Sequence, residues 1–129
     1  MAELKTRVLI VDDDQRLRDL LVPYLGEQGF ETRAVADAPA MDRQLARERY
    51  DLIVLDLMLP GEDGLALVRA VRSRGIRTPL IALTAHAGAK MRVRALMAGF
   101  NTYIPKPVEP AELTAVIVQQ AGGAKTPGV

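Results

Sequence analysis

The chain has 129 residues, 49% of them hydrophobic, which is the size and apolar content of one domain with its own core. Seventeen basic and sixteen acidic residues leave a formal charge of +1, a balance that by itself indicates neither a nucleic acid nor a membrane partner. The lack of cysteine excludes disulfides and thiolate chemistry, and a single histidine argues against a zinc site. No apolar run approaches the ~20 residues that span a bilayer, and the first residues do not resemble a signal peptide, so we expect a cytoplasmic protein without membrane contact.

Five short segments have the composition of β-strands. Residues 7–11, 52–56 and 79–85 are continuous apolar runs rich in β-branched residues, which is typical of parallel strands buried on both faces. Residues 31–35 and 101–105 are more polar, and this composition favours the two edges of a sheet. The sequence therefore predicts a sheet with three central and two edge strands.

Helical patterns follow the strands. The first contains Pro23, which removes one backbone donor and is expected to kink the helix. Asp37 is the predicted N-cap of the second helix, with Pro39 in its first turn. The other three have apolar residues at helical spacing: Leu65, Val68 and Val71; Val93, Leu96 and Met97; Leu113, Val116 and Ile117.

Strands and helices thus alternate along the chain. This order predicts an α/β fold in which a doubly wound, mostly parallel sheet carries helices on both faces. We expect one domain over residues 1–121, followed by a flexible tail over 122–129, where apolar periodicity is absent.

Polar side chains follow four of the predicted strands. Asp12 and Asp13 come after the first strand, Asp56 ends the third, Thr84 lies at the end of the fourth and Lys106 follows the fifth. Ligands of such sheets bind beyond the carboxyl ends of the strands, so we expect these groups to share one site.

The predicted site has the components of phosphoryl chemistry. Three carboxylates within roughly 5 Å of one another repel by ~3 kcal/mol per pair, and a hard cation relieves this repulsion. Oxygen ligands without histidine or cysteine favour Mg²⁺, with Mn²⁺ as an alternative. The cation and Lys106 would neutralise a phosphoryl group, Thr84 would donate a hydrogen bond to it, and Asp56 is the candidate nucleophile.

Four motifs, VLIVDDD, LDLMLPGEDG, LTA and YIPKP, occur in this order and together resemble the receiver domain of two-component response regulators over residues 6–120. The resemblance implies a flavodoxin-like sheet of order 2-1-3-4-5. It implies that Asp56 is the phosphoacceptor and that Asp13, Asp12 and the backbone carbonyl of Met58 join Asp56 in holding the metal.

The resemblance also implies how the domain would signal. Thr84 would be the switch hydroxyl, Lys106 the cation that pairs with the phosphate, and Tyr103 the switch aromatic. The Lys106–Pro107 peptide bond would be cis. A sensor histidine kinase or histidine phosphotransfer protein would donate the phosphoryl group. The reaction would alter a protein-binding surface around the fourth helix, fifth strand and fifth helix, in a monomer or a phosphorylation-dependent dimer without a DNA-binding module.

Other interpretations of the same residues remain open. Asp12, Asp13 and Asp14 could merely cap a helix, and Asp56 could be an ordinary acid at a strand end. A haloacid-dehalogenase-like phosphatase also uses an aspartate nucleophile, but it needs an acid where this chain has Met58. A flavodoxin-type cofactor site would need a phosphate loop in place of the three acids. In the receiver interpretation, Met58 and His86 flank the path of the water that hydrolyses the aspartyl phosphate.

Overall fold

The computed structural model describes residues 5–85 and 88–125, with side chains up to 121. Strands and helices alternate through the chain: β1 Arg7–Val11, α1 Gln15–Glu27, β2 Glu31–Val35, α2 Ala38–Arg47, β3 Leu52–Asp56, α3 Gly64–Ser73, β4 Leu80–Thr84, α4 Ala89–Ala98, β5 Thr102–Pro105 and α5 Pro110–Lys125. The predicted strands lie within one residue of these bounds at either end.

The five strands form one parallel sheet of order β2-β1-β3-β4-β5. This confirms the predicted flavodoxin-like order and the two edge strands. The central strands β3 and β4 are buried at every position, because helices cover both faces of the sheet. Their buried carboxyl ends point to the edge where the predicted site lies.

Two hydrophobic cores fill the space between the sheet and its helices. One lies against α1 and α5, and it includes Ile10, Val54 and Ile117. The other lies against α2, α3 and α4, and it includes Leu55 and Val68. Alternate residues of each central strand enter opposite cores, as the two-residue period of a strand requires.

Aspartates begin three of the helices. Asp14 caps α1, and its Oδ1 accepts hydrogen bonds from the amides of Arg16 and Leu17 at 2.9 and 3.4 Å. Asp37 caps α2 as predicted, and Asp63 caps α3. Such caps satisfy amides that have no partner inside the helix. Asp14 is therefore occupied as a cap and does not belong to the acidic cluster.

Three further details bear on the predictions. Pro23 lies inside α1, which continues to Glu27. The peptide bond between Lys106 and Pro107 is cis, as expected. The helix α5 runs to Lys125, beyond the predicted start of the tail at 122, and the remainder of the predicted tail, 126–129, lies outside the described residues.

The loop after β3 passes close to the first turn of α3. A Cβ atom placed on Gly64 would lie 2.7 Å from the Cα of Leu57 and 2.8 Å from its carbonyl oxygen. Real Cβ atoms do not approach backbone atoms so closely, so only glycine fits here. The contact fixes the loop that follows Asp56 against the body of the domain.

Candidate functional site

The strand register brings the acidic residues together. Val11 of β1 is paired with Leu55 of the parallel strand β3. The residues that follow them, Asp12 and Asp56, are therefore neighbours. Both carboxylates are buried, with 0% and 2% of the residue exposed. The amide of Asp12 donates to the carbonyl of Val35 at 3.0 Å, which extends the pairing with β2 by one residue.

Asp12, Asp13 and Asp56 form one acidic cluster. Each offers a carboxylate oxygen, and these oxygens all lie within 4.8 Å of one another. Asp13 is exposed, whereas the other two are buried, so the cluster opens to solvent on one side. Two carboxylates have fixed orientations: Asp12 Oδ1 accepts from the amide of Asp14, and Asp56 Oδ1 accepts from the amide of Met58, both at 2.9 Å.

Lys106 neutralises part of this negative charge. Its Nζ lies 2.9 Å from Asp12 Oδ2 and 3.2 Å from Asp56 Oδ2. The backbone of Lys106 is held at the edge of the sheet, because its amide donates to the carbonyl of Thr84 at 2.8 Å. Burial lowers the pKa of Lys106, but the hydrogen bonds and charges of Asp12 and Asp56 outweigh this effect, and the pKa lies above its ordinary value.

Asp12 has the least favourable environment of the cluster. Burial raises the pKa of Asp12, and the bond from Asp14 and the charge of Lys106 offset this only in part. Its Oδ2 is buried and, despite the short ion pair, has no hydrogen bond of good geometry among the described residues. A buried carboxylate oxygen without a well-formed hydrogen bond, beside two more carboxylates, fits a hard divalent cation such as Mg²⁺.

Thr84 and Tyr103 lie on the two strands nearest to Lys106. Thr84 ends β4, is 2% exposed and is paired in register with Pro105. Tyr103 is half-buried, and the guanidinium carbon of Arg92 lies 5.1 Å from the centre of its ring. This distance is within the range of a cation–π contact, so Arg92 of α4 packs against the ring of Tyr103.

Met58 follows Asp56 by two residues and is 53% exposed. Its amide donates to Asp56 Oδ1 at 2.9 Å, so its backbone lies against the acidic cluster while its side chain is exposed to solvent. His86, which was expected to flank the path of the attacking water together with Met58, lies outside the described residues.

One residue of the site was missed from sequence. Arg18, one turn into α1, donates from Nη1 to the backbone carbonyl of Asp12 at 2.8 Å. This hydrogen bond fixes the backbone of Asp12, one of the three acids of the cluster. A basic residue shortly after an acidic loop was the signal available, but a long side chain can reach many partners at that distance.

Comparison with known proteins identifies the family. The family model described as response regulator receiver domain matches residues 8–118, which is most of the chain. The chain therefore belongs to the receiver domains of two-component response regulators, a family of signalling switches. Among the residues that the structure describes, none of the helices combines the length and apolarity that crossing a bilayer requires.

Two relatives and two solved structures illustrate the similarity. Protein PetR of Rhodobacter capsulatus is 45% identical over 113 residues, which cover 88% of this chain and 47% of PetR. Transcriptional regulatory protein GltR of Pseudomonas aeruginosa is 43% identical over 112 residues, which cover 85% of this chain and 46% of GltR. The receiver domain of the Francisella response regulator 1452 has a TM-score of 0.88 at 28% identity, covering 93% of this chain and 99% of that one. A CheY-like receiver domain protein of Methanospirillum hungatei has a TM-score of 0.86 at 29% identity, covering 95% and 98%.

The chain spans about half the length of the curated relatives it matches. GltR is named as a transcriptional regulatory protein, so the comparisons do not support the expectation of a regulator without a DNA-binding module. The absence of a DNA-binding module therefore stays a prediction, made only for the 129 residues of this chain.

Proposed function

We propose that Asp56 accepts a phosphoryl group from the phosphohistidine of a sensor kinase or phosphotransfer protein. The observation that carries this proposal is the position of Lys106, whose ammonium bridges Asp56 and Asp12 at 3.2 and 2.9 Å inside a cluster of three carboxylates. A buried carboxylate with an ammonium 3.2 Å away, and with two more carboxylates that can hold a cation, suits a group that must carry a phosphate.

The proposed reaction is a transfer between two nucleophiles. A carboxylate oxygen of Asp56 forms a bond to phosphorus while the bond from phosphorus to the histidine nitrogen breaks. The electron pair of the broken bond stays on that nitrogen, and the product is an acyl phosphate on Asp56. The amide of Met58 orients the carboxylate, and Lys106 moves its charge from the free carboxylate to the new phosphate oxygens.

Asp12, Asp13, Asp56 and the carbonyl of Met58 would hold Mg²⁺, with Mn²⁺ as an alternative. When bound, the ion supplies positive charge to the phosphoryl oxygens. The buried Oδ2 of Asp12 supports this assignment, because it lacks a well-formed hydrogen bond. One oxygen from each of the three carboxylates also lies within 4.8 Å of the other two. Arg18 would help to position Asp12 as a metal ligand, because its guanidinium donates to the backbone carbonyl of Asp12.

Phosphorylation would be transmitted through the ends of β4 and β5. Thr84 turns its hydroxyl to the phosphate, and Tyr103 moves into the space that Thr84 leaves, which alters the surface formed by α4, β5 and α5. A change from 1% to 99% of the active conformation needs about 5.5 kcal/mol of preferential stabilisation. A few charge-assisted hydrogen bonds of about 1.5–3 kcal/mol each can supply it.

The downstream partner is a protein that binds this surface, and the domain acts as a monomer or as a dimer formed on phosphorylation. The protein is a switch and not an enzyme with an external substrate, since it catalyses only its own phosphorylation and slow dephosphorylation. Met58 slows that dephosphorylation, because this exposed residue follows Asp56 by two positions and its thioether cannot orient or deprotonate a water molecule.

Phosphorylation can be tested with acetyl phosphate as the donor. The chain is incubated with acetyl phosphate and Mg²⁺, and its intact mass is measured. We expect a gain of ~80 Da that requires Mg²⁺, is absent from Asp56→Asn and is retained in Asp42→Asn, an exposed aspartate of α2. A gain that persists in Asp56→Asn would place the modification elsewhere. Rapid hydrolysis of p-nitrophenyl phosphate would instead favour the phosphatase.

A further inference from the structure

The charges of the chain are unevenly distributed along it. Residues 64–108 contain no aspartate or glutamate, whereas eight of the seventeen basic residues lie there. The remaining parts of the chain therefore have nine basic residues against all sixteen acidic ones. The segment includes α3, β4, α4 and β5, so one side of the proposed switching surface is strongly positive.

The positive charge on α4 is interleaved with exposed apolar side chains. Lys90, Val93, Arg94 and Met97 are spaced i, i+3, i+4 and i+7, which places them on one face of the helix. Val93 is 53% exposed and Met97 is 83% exposed, and the neighbouring Leu96 is 44% exposed. We call the face formed by these five residues the α4 face.

The α4 face has no polar partner inside the described chain. Neither Lys90 nor Arg94 forms an ion pair with any residue that the structure describes. An open depression of about 650 Å³ lies against Ala89, Lys90, Val93 and Arg94. Three of the exposed large hydrophobic side chains of the described residues belong to this short helix, and such clustering marks a binding surface.

We propose that the α4 face binds an acidic, apolar segment of a partner protein, in which aspartate or glutamate alternates with aliphatic residues at helical spacing. The carboxylates would pair with Lys90 and Arg94, and the aliphatic residues would cover Val93 and Met97. Because no acidic residue lies between 64 and 108, such a segment meets no like charge from this part of the chain. The control of this binding by phosphorylation rests on the function proposed above.

Other occupants fit the face less well. A second copy related by a two-fold axis through the α4 face would set the Lys90 and Arg94 of one copy against those of the other. A membrane-surface helix separates its basic residues from its apolar ones, whereas here both lie on one face. Phosphates of a nucleic acid would leave Val93 and Met97 without an apolar partner.

Arg92 connects this face to the proposed switch. It stacks on Tyr103 at 5.1 Å, so its charge is directed towards β5 in the structure described here. Arg92 lies one turn before Leu96, at the edge of the α4 face. If Tyr103 turns inward on phosphorylation, the guanidinium loses this contact and becomes available to the part of the acidic segment that covers Leu96. Phosphorylation would then tighten the binding by adding a third cation.

The surface can be tested with a designed peptide. The probe is a fluorescein-labelled helical peptide of glutamate, leucine and alanine, and its affinity for the whole chain is measured by fluorescence anisotropy. We expect the double variant Lys90→Glu/Arg94→Glu to bind about tenfold more weakly. The double variant Arg69→Glu/Arg77→Glu has the same change in net charge, on exposed residues elsewhere in the basic segment, and is expected to bind within about twofold of the parent.

The same measurements include results that would overturn the proposal. Equal losses in both double variants, or no binding by the parent, would mean that the α4 face does not select the peptide. A peptide with glutamine in place of glutamate must bind more weakly, and equal binding would exclude the proposed ion pairs. A peptide with alanine in place of leucine must also bind more weakly, and equal binding would exclude the proposed apolar contact. Stronger binding to anionic phospholipid vesicles would identify a membrane instead, and a dimer abolished by Lys90→Glu/Arg94→Glu would identify a second copy. Lys90→Ala/Arg94→Ala provides a variant without charge reversal.

Phosphorylation is measured separately by intact mass in the same samples. If no adduct forms, the proposed function fails, while the comparison of unphosphorylated variants still decides whether the α4 face binds the peptide. If the adduct forms and Arg92→Ala removes the gain in affinity that phosphorylation produces, the connection through Tyr103 is supported. An unchanged gain in Arg92→Ala would exclude that connection.

Discussion

Replacing Lys106 by methionine would remove the only ammonium seen within the acidic cluster of the described residues. In the parent chain its Nζ lies 2.9 Å from Asp12 Oδ2 and 3.2 Å from Asp56 Oδ2, and both carboxylates are buried. Methionine keeps a similar length and apolar stem, so the variant chiefly removes the charge. Two buried carboxylates would then face each other without a cation.

The size of the effect follows from these distances. At an effective dielectric near 20, two opposite unit charges about 3 Å apart attract by about 5.5 kcal/mol. The desolvation of the lysine and its partial exposure, 25% of the side chain, reduce this. Losing one partner of a buried pair costs about 3–5 kcal/mol, so we expect a loss near the lower end, about 3 kcal/mol, in the free energy of unfolding.

The loss should depend on pH in a defined direction. Burial raises the pKa of Asp12 above its ordinary value, and removing Lys106 raises it further. A carboxyl whose folded pKa is raised favours the folded state most below its unfolded pKa of about 3.9, and this advantage disappears as pH rises through the folded pKa. The variant is therefore expected to approach the parent in acid and to fall behind it towards neutral pH.

The charge of Lys106 determines how the stability difference between parent and variant changes at alkaline pH. Its pKa is raised in the folded chain, so its contribution is complete below the ordinary lysine value of about 10.4 and is lost as pH rises past the folded pKa. At the alkaline end, the parent should therefore keep its advantage over the variant until the pH exceeds the raised pKa of Lys106.

The assay is urea unfolding followed by far-UV circular dichroism, at neutral pH, in EDTA and in excess Mg²⁺. Mg²⁺ binds the folded chain, so it should stabilise the variant and restore part of the loss. Lys90→Met, on the exposed side of α4, is the matched control and should change stability by less than about 0.5 kcal/mol. A loss below about 1 kcal/mol in EDTA, or one that Mg²⁺ does not reduce, would contradict the reasoning from charge.

Two further predictions concern the scaffold and use the same unfolding assay. Gly64→Ala should lower the free energy of unfolding by about 2–3 kcal/mol, because the new Cβ would lie 2.7 Å from the backbone of Leu57. Gly26→Ala, where no atom lies within 4 Å of the new Cβ, should raise it by about 0.5–1 kcal/mol, because alanine is the better helix former. If Gly64→Ala proved more stable than Gly26→Ala, the close contact with Leu57 would be refuted. Arg72→Ala should lower the free energy of unfolding by about 3 kcal/mol. Its guanidinium donates to three backbone carbonyls and one side-chain oxygen around the starts of β4 and β5. Arg69→Ala, exposed on the same helix, should change stability by less than about 0.5 kcal/mol, and a similar loss in both would exclude the network as the cause.

The sequence by itself was sufficient for the order of strands and helices, for the distinction of central from edge strands, and for the expectation that Asp12, Asp13, Asp56 and Lys106 lie together. Continuous apolar runs distinguish central from edge strands, because a strand covered on both faces cannot alternate apolar and polar residues. Parallel strands all end at the same edge of the sheet, so the aspartates and the lysine that follow them must be near one another. These are consequences of local composition and chain direction, and both are visible in the order of residues.

Only the tertiary structure decided which atoms meet. The bridge of Lys106 to both Asp12 and Asp56, the bond of Arg18 to the carbonyl of Asp12, and the stacking of Arg92 on Tyr103 are not visible in the order of residues. A long flexible side chain has several partners within reach, and the choice among them depends on burial and on the positions of atoms contributed by other parts of the chain. Local periodicity contains no information about those atoms until the sheet brings them together.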